Sequence, residues 1–147
     1  MRIAGEIVIA KAPQAVFPWI AEPEKAMRWQ KNVKGGEIIT STPGMVGTTF
    51  KETMEEDGRA LEMRGEITQY AENRAIAFHL ESRIHRVDVT YSLEGCEGQT
   101  KAGVRADIRW KFPMNVVSLF LGKRMERELA AQVDGELRDL KAMCESE

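Results

Sequence analysis

The chain has 147 residues, of which 43% are hydrophobic and 30% are charged, and its formal net charge at pH 7 is −2. This balance is typical of one globular domain. A chain of this size buries about 70% of the surface that it exposes when unfolded, so its core does not need disulfide bonds or bound metal ions for stability. A slightly acidic chain without a basic block or stripe argues against nucleic-acid binding. We therefore expect a single domain over residues 1–147 that does not bind nucleic acid.

The cysteines and the N-terminus predict a cytoplasmic protein. Cys96 and Cys144 form no C-x-x-C motif, which favours free thiols in a reducing compartment. The N-terminal run MRIAGEIVIA contains Glu6 and is a poor signal peptide. The longest apolar run, VVSLFLG, falls far short of the roughly 20 residues that a membrane span needs, so we expect no span.

The first three-quarters of the chain predict strands interrupted by two short helices. Residues 3–10 are rich in β-formers and predict the first strand. Pro13 and Pro23 each stand where the first turn of a helix tolerates proline, so the stretch FPWIAEPEKAMRWQ predicts two helical stubs rather than one helix. Between turn signals, six further strands are predicted, over 34–41, 47–56, 59–70, 74–81, 84–94 and 100–110.

After Pro113 the apolar residues recur every three or four positions, which predicts an amphipathic helix of about 30 residues. Its apolar stripe consists of Val117, Leu121, Met125, Leu129, Val133, Leu137, Leu140 and Cys144. Such a helix is about 45 Å long and must lie across the whole molecule, whose radius of gyration should be near 15 Å. The order of elements predicts an α+β fold in which a seven-stranded curved antiparallel sheet wraps around the long helix.

Turn positions predict which strand residues face the helix. A two-residue turn at Asp57-Gly58 places Glu52 opposite Met63, and directly paired residues share a face of the sheet. A second tight turn at Ser82-Arg83 pairs Leu80 with His85. The inward face predicted in this way is mainly apolar and comprises Phe50, Glu52, Met54, Leu61, Met63, Gly65, Ile67, Ile76, Phe78, Leu80, His85, Val87, Val89, Tyr91, Leu93, Val104, Ala106, Ile108 and Trp110.

Glu52 and His85 are the two polar side chains that this pattern places among apolar ones. His85 is either a core histidine with one hydrogen-bond partner or a ligand anchor and general acid/base. Glu52 either reaches solvent from a strand end, or lies inside, where desolvation would raise its pKa. His79 falls on the opposite face of the sheet and is interpreted as a surface residue.

The chain resembles the START-related helix-grip superfamily, in the branch of polyketide cyclase/dehydrase and lipid-transport-like proteins. The resemblance extends over nearly the full length. It is carried by the opening IVIAKAPQAVFPWIAEPEKAMRWQKNV, the strand entry Gly47-Thr48-Thr49-Phe50, the segment LEMRGEITQYAENRAIAF and the terminal RELAAQVDGELRDLKAM. It implies a cavity between sheet and helix, with the two stubs forming a V that closes one end. Trp29 would then border the gap or simply pack against the long helix, whereas Trp19 is expected to pack outside the pocket.

Three functions remain open from the sequence. The first is the binding of a small, mostly apolar or aromatic, lipid- or polyketide-like ligand in the cavity. The second is a cyclase- or dehydratase-type enzyme with Glu52 or His85 as the acid/base. The third is an interaction domain with a filled core, and a homodimer is also left open. The candidate ligand-binding residues are Trp29, Phe50, Glu52, Leu61, Met63, Phe78, His85, Val89, Tyr91, Trp110, Leu121 and Met125.

No motif points to a cofactor or to a metal. The chain lacks H-E-x-x-H, G-x-S-x-G, P-loop and dinucleotide-binding fingerprints, and no serine has an evident base. Two histidines on opposite faces of a sheet do not form a zinc site by themselves. We therefore expect neither a cofactor nor a metal.

Overall fold

The computed structural model describes residues 1–56 and 58–147, with the elements in the predicted order. The strands are β1 (Arg2–Ile9), β2 (Val33–Thr40), β3 (Thr49–Glu56), β4 (Arg59–Ala71), β5 (Ala75–Glu81), β6 (His85–Cys96) and β7 (Gln99–Trp110). The helices are α1 (Pro13–Ala21), α2 (Pro23–Trp29) and α3 (Met114–Glu145). Pro13 and Pro23 begin α1 and α2, as the sequence predicted.

The seven strands form one antiparallel sheet in the order β1-β7-β6-β5-β4-β3-β2, which confirms the predicted sheet with its long C-terminal helix. The register of β3 and β4 is also as predicted, since Glu52 pairs with Met63 and Phe50 with Gly65. Of the turn expected at Asp57-Gly58, Asp57 lies outside the described residues.

The β5–β6 turn differs from the prediction by one residue. The Ser82 amide donates to the His85 carbonyl at 3.0 Å, so the two central residues of the turn are Arg83 and Ile84. Leu80 therefore pairs with Val87 rather than with His85. The pairing partner of Leu80 thus moves by two positions. Because side chains alternate between the two faces of the sheet with a period of two, the predicted inward face is preserved.

The C-terminal part of α3 packs on β1 and against the two stubs. Leu137, Leu140 and Cys144 are buried there, and β1 offers Gly5, where an added Cβ would lie 3.1 Å from Leu137 Cδ1. The close approach of helix and strand therefore depends on a residue without a side chain. Within the described residues no helix combines the length and the apolar character that a membrane span requires.

The first half of α3 is much more exposed than its stripe predicted. Leu121, expected on the buried face, is 48% exposed, and the neighbouring Leu119 and Phe120 are 81% and 83% exposed. The helix packs mainly on the edge strand β1 rather than across the middle of the sheet. The period of the sequence identified the apolar positions of this half, but it did not show how little of them the rest of the described chain covers.

Candidate functional site

A pocket opens between the two stubs, the edge strand β2 with its neighbour β3, and the concave face of the sheet. Met27 of α2 and Gln30, the residue that follows α2, form one wall, and Ile38 of β2 forms the other. The complete lining consists of Ile20, Ala21, Pro23, Ala26, Met27, Gln30, Val33, Gly36, Glu37, Ile38, Met45, Thr48, Phe50, Lys51, Glu52, Ile67, Ile76, Phe78 and Tyr91. The cavity has a volume of about 80 Å³, and the empty space including the part open to solvent is about 720 Å³.

Three aromatic rings from neighbouring parts of the sheet form the floor of this pocket. Phe50 meets Phe78 edge to face with 5.8 Å between ring centroids, and Phe78 lies 6.1 Å from Tyr91. Phe50 lies directly over Gly65, where an added Cβ would come within 2.2 Å of the ring. The absence of a side chain at Gly65 therefore fixes the height of the Phe50 ring, and any larger residue would push it into the pocket.

Glu52 presents a carboxyl group to this mainly apolar space. Burial raises its pKa to about 6, and no described residue hydrogen-bonds to the carboxyl group. Lys51, its neighbour in the chain, also borders the pocket, but its ammonium group forms an ion pair with Glu62 at 3.2 Å. Because strand neighbours point to opposite faces, the cation does not neutralise the inward carboxyl group. Glu52 therefore carries an unused hydrogen-bonding group at the pocket wall.

Tyr91 adds a second polar group at the inner end. Burial, followed by the charges of Glu136 on α3 and of Glu52, raises the pKa of its phenol, against the lowering effect of the Gln30 side chain. Burial also raises the pKa of Glu136. The phenol thus stays protonated at ordinary pH, and its O–H remains a hydrogen-bond donor.

The structure brings four of the predicted ligand-binding residues to the pocket, namely Phe50, Glu52, Phe78 and Tyr91. The others lie elsewhere. Trp29, Met63 and Val89 are buried in the core, and Leu61 packs against it. Leu121 and Met125 lie on the outer half of α3 and do not line the pocket.

The two tryptophans of the stubs are packing residues. The Trp29 indole donates to the Trp19 carbonyl at 2.8 Å and meets Tyr91 edge to face at 6.0 Å. The Trp19 indole donates to a Glu147 carboxylate oxygen at 3.2 Å, with Lys25 above its ring. Together they join α1, α2 and the end of α3, which explains why both stubs carry large aromatics. Trp29 supports the pocket through Tyr91 instead of lining it.

His85 belongs to a different part of the molecule. Its Nδ1 lies 2.6 Å from the Ser82 hydroxyl, and its ring stacks at a tilt on Trp110, 5.3 Å away. Burial lowers its pKa, opposed by a backbone hydrogen bond, and the nearby Lys111 lowers it further. The Ser82 oxygen also accepts the amides of Ile84 and His85, so the pair caps the β5–β6 turn. Strands β4 and β5 separate it from Glu52.

Sequence reasoning missed the part of the pocket made by non-strand residues. Ile20, Met27, Gln30 and Met45 come from the stubs and from the β2–β3 loop. The only signal was the V expected of the stubs, because the face of a short helix is not set by strand alternation. Among the described residues no cluster of three or more His, Cys, Asp or Glu side chains is arranged to hold a metal ion.

This fold and pocket define a helix-grip protein, and the comparisons give its family. The sequence model of the family "Polyketide cyclase / dehydrase and lipid transport" matches residues 1–145. The chain therefore belongs to that family. A search of curated proteins gave no match to the sequence.

Solved structures show the same fold at low sequence identity. TTHA0849 from Thermus thermophilus superposes with a TM-score of 0.83 at 16% identity, covering 99% of this chain and 98% of that one. The Zhui aromatase/cyclase from a Streptomyces species gives 0.78 at 12% identity, with 99% and 92% covered. A START superfamily protein from Mycobacterium smegmatis gives 0.68 at 18% identity, with 95% and 98% covered. Identities this low establish the shared fold alone.

Proposed function

We propose that this protein binds a small, mostly apolar or aromatic molecule in the pocket between the stubs, β2, β3 and the sheet. The observation that carries the proposal is the unpartnered carboxyl group of Glu52 in a pocket with an aromatic floor. Binding pockets combine apolar walls with a few polar groups that fix the orientation of the ligand. Membership of a family described by lipid transport and polyketide cyclisation supports the same class of ligand.

The chemistry of Glu52 indicates what the polar end of the ligand must supply. With a pKa of about 6, the carboxyl group is mainly ionised at pH 7 and then only accepts hydrogen bonds. A hydroxyl, phenol or amine of the ligand would satisfy it, whereas a carboxylate would be repelled. The Tyr91 O–H can serve a carbonyl or ether oxygen further inside.

The small accessible volume limits the size of the ligand. The cavity volume is about 80 Å³, and the pocket is open to solvent beyond it. A molecule of one or two rings, or the end of a longer chain whose remainder leaves through this opening, fits the pocket best. Ile38, 46% exposed, would cover the emerging part.

Native mass spectrometry of the purified protein, with extraction of any bound molecule, is the first test. Thermal-shift titration with a panel of phenols, aromatic polyketides, fatty acids and sterols follows. A bound phenol or polyketide should lose at least about tenfold in affinity when Phe78→Trp fills the pocket, because overpacking removes the ligand's space. Glu52→Gln should weaken hydroxyl-bearing ligands more than their methyl ethers, since it removes a charged acceptor.

Glu66→Gln is the matched control, because Glu66 is an exposed carboxylate on the adjacent strand β4 and does not line the pocket. It should bind like the wild type. A protein that carries nothing and shows no shift across the panel would overturn the assignment of this pocket, and so would a ligand that binds equally well to the wild type and to Phe78→Trp.

A cyclase- or dehydratase-type reaction is the second candidate, and the raised pKa of Glu52 favours it. A carboxyl group with a pKa of about 6 is suited to exchanging protons near neutral pH. The structural similarity to an aromatase/cyclase supports testing polyketide-like substrates. Turnover that follows a pKa near 6 and disappears in Glu52→Gln, while binding persists, would establish an enzyme. His85 is too far along the sheet to act with Glu52 in this scheme.

A further inference from the structure

The start of α3 presents an exposed apolar surface that no described element covers. We call it the α3 tip and define it as Phe112, Val116, Leu119 and Phe120. Leu119 and Phe120 are more than four-fifths exposed, and Phe112 is 77% exposed. Large apolar side chains that cluster in the open mark a contact site for another apolar surface.

Basic residues follow the α3 tip on the same face of the helix. Val116, Phe120, Lys123 and Arg127 are separated by three or four residues, so they form one row along the outer side. Lys123 and Arg127 take part in none of the ion pairs among the described residues, whereas Arg124 is paired with Glu128. The row therefore changes from apolar to cationic within two helical turns.

The charge of this region differs in sign from that of the rest of the chain. Residues 111–128 contain four basic and two acidic side chains, a net charge of +2, and the remaining 129 residues carry −4. Arg83, exposed in the β5–β6 turn, adds a further cation. This turn is joined to the segment between β7 and α3 by a hydrogen bond from the Lys111 amide to the Ile84 carbonyl at 2.8 Å. A protein with a negative net charge therefore has one positively charged region around the start of α3.

We propose that the α3 tip docks on anionic lipid membranes, with its apolar side chains in the interface and Lys123 and Arg127 at the headgroups. The spacing suits this arrangement. When α3 approaches the membrane by its N-terminal end, Arg127 lies about 10 Å behind Phe120, since seven residues separate them at 1.5 Å per residue. This distance matches the depth of about 5–10 Å to which apolar groups are buried at a membrane interface, so the cation stays at the headgroups. The contact is peripheral and independent of the ligand proposed above.

Charge complementarity favours a membrane over a second copy of this chain. In an antiparallel pair of α3 helices centred on Phe120, Arg127 would lie opposite Pro113 and Lys123 opposite Val117. Both cations would then meet apolar residues instead of carboxylates. An anionic lipid surface neutralises them and also accepts the apolar tip.

The test is co-sedimentation of the full chain with vesicles of phosphatidylcholine, with and without about one-third phosphatidylserine. We expect binding to the anionic vesicles that weakens between about 0.1 M and 1 M salt as the Debye length falls from about 10 Å to 3 Å. Lys123→Ala with Arg127→Ala should weaken it about 30-fold, from about 1 kcal/mol for each cation near the surface. Leu119→Ser with Phe120→Ser should weaken it at least about tenfold.

Matched controls come from exposed residues elsewhere. Ile39→Ser with Val46→Ser removes two side chains that are about half exposed near β2, and Lys34→Ala with Arg105→Ala removes two exposed cations. Both controls should bind vesicles like the wild type, and circular dichroism checks that every variant folds.

Three results would overturn the proposal. They are equal binding to neutral and anionic vesicles, no binding at all, and equal loss in the control variants. Light scattering tests whether a second copy of this chain covers the α3 tip instead. A dimer that Leu119→Ser with Phe120→Ser abolishes, in a protein that ignores vesicles, would assign the α3 tip to a second copy.

Discussion

The two halves of α3 belong to one continuous helix with one apolar period, yet their surroundings are opposite. Leu137, Leu140 and Cys144 are at most 2% exposed, because β1 and the stubs close over them. Leu119 and Phe120 are more than 80% exposed, and no described element covers them. A helical period shows which residues share a face, but only the neighbouring elements decide whether that face is covered. Four predictions test this difference, in order of decreasing effect.

Leucine truncation should separate the two halves most strongly. Leu140→Ala removes a fully buried side chain and should lower the free energy of unfolding by about 2–5 kcal/mol, since it leaves a cavity beside β1 and the stubs. Leu119→Ala should change it by less than about 0.5 kcal/mol, because that side chain is already in water. Urea unfolding followed by circular dichroism measures both. Equal losses would mean that the first half of α3 is also packed in solution.

Glycine substitutions should have opposite signs in the two regions. At Gly5 even the first added carbon would lie 3.1 Å from Leu137 and 3.2 Å from Val133, so Gly5→Val should destabilise the fold by about 1–3 kcal/mol. At Gly122 an added Cβ meets nothing within 4 Å, so Gly122→Ala should stabilise it by about 1 kcal/mol through helix propensity. Thermal unfolding of the two variants distinguishes these signs, and a loss at Gly122 would reveal a contact that covers this half.

The pH dependence of stability should reveal the buried half through Glu136. Burial raises its pKa in the folded state, so the folded protein holds this proton more tightly than the unfolded chain. Stability from this group is therefore fully present below its unfolded pKa and is lost as the pH rises through the folded pKa. Glu136→Gln should flatten this fall when urea midpoints are compared between acidic and neutral pH. An unchanged slope would place Glu136 in solvent.

Exposed ion pairs should contribute least. Arg124 and Glu128 form a helical pair at 3.1 Å on the open half, and Glu128→Ala should alter the free energy of unfolding by less than about 0.5 kcal/mol. Lys141→Ala should lower the free energy of unfolding somewhat more than Glu128→Ala, because Lys141 donates to the Val8 carbonyl at 2.8 Å and so joins α3 to β1. Chemical unfolding at low and high salt compares the free energies of unfolding of the two variants. A larger loss for Glu128→Ala would contradict the view that the first half is solvated.

The candidate site divides in the same way between what the pattern showed and what it did not. The turn predicted at Asp57-Gly58 and the alternation of side chains along β3 and β4 were enough to place Phe50, Glu52 and Gly65 on the inner face. The ring of Phe50 does lie over Gly65. The same alternation placed His85 inward as well. It could not show that His85 stays at the far end of β6 with Ser82 and Trp110, because alternation sets the face of a residue and not its distance from another.

By itself, the sequence determined the order of elements, the two proline-started stubs, the antiparallel sheet and the inward faces of its strands. These follow from local rules, since proline, turn residues and apolar periods act over a few neighbouring positions. Only the tertiary structure decided which inward residues meet around a pocket, that Trp29 supports this pocket from behind, and that half of α3 is left uncovered. The last of these outcomes depends on where α3 packs, and Gly5 on the edge strand β1 permits the close contact with its C-terminal half.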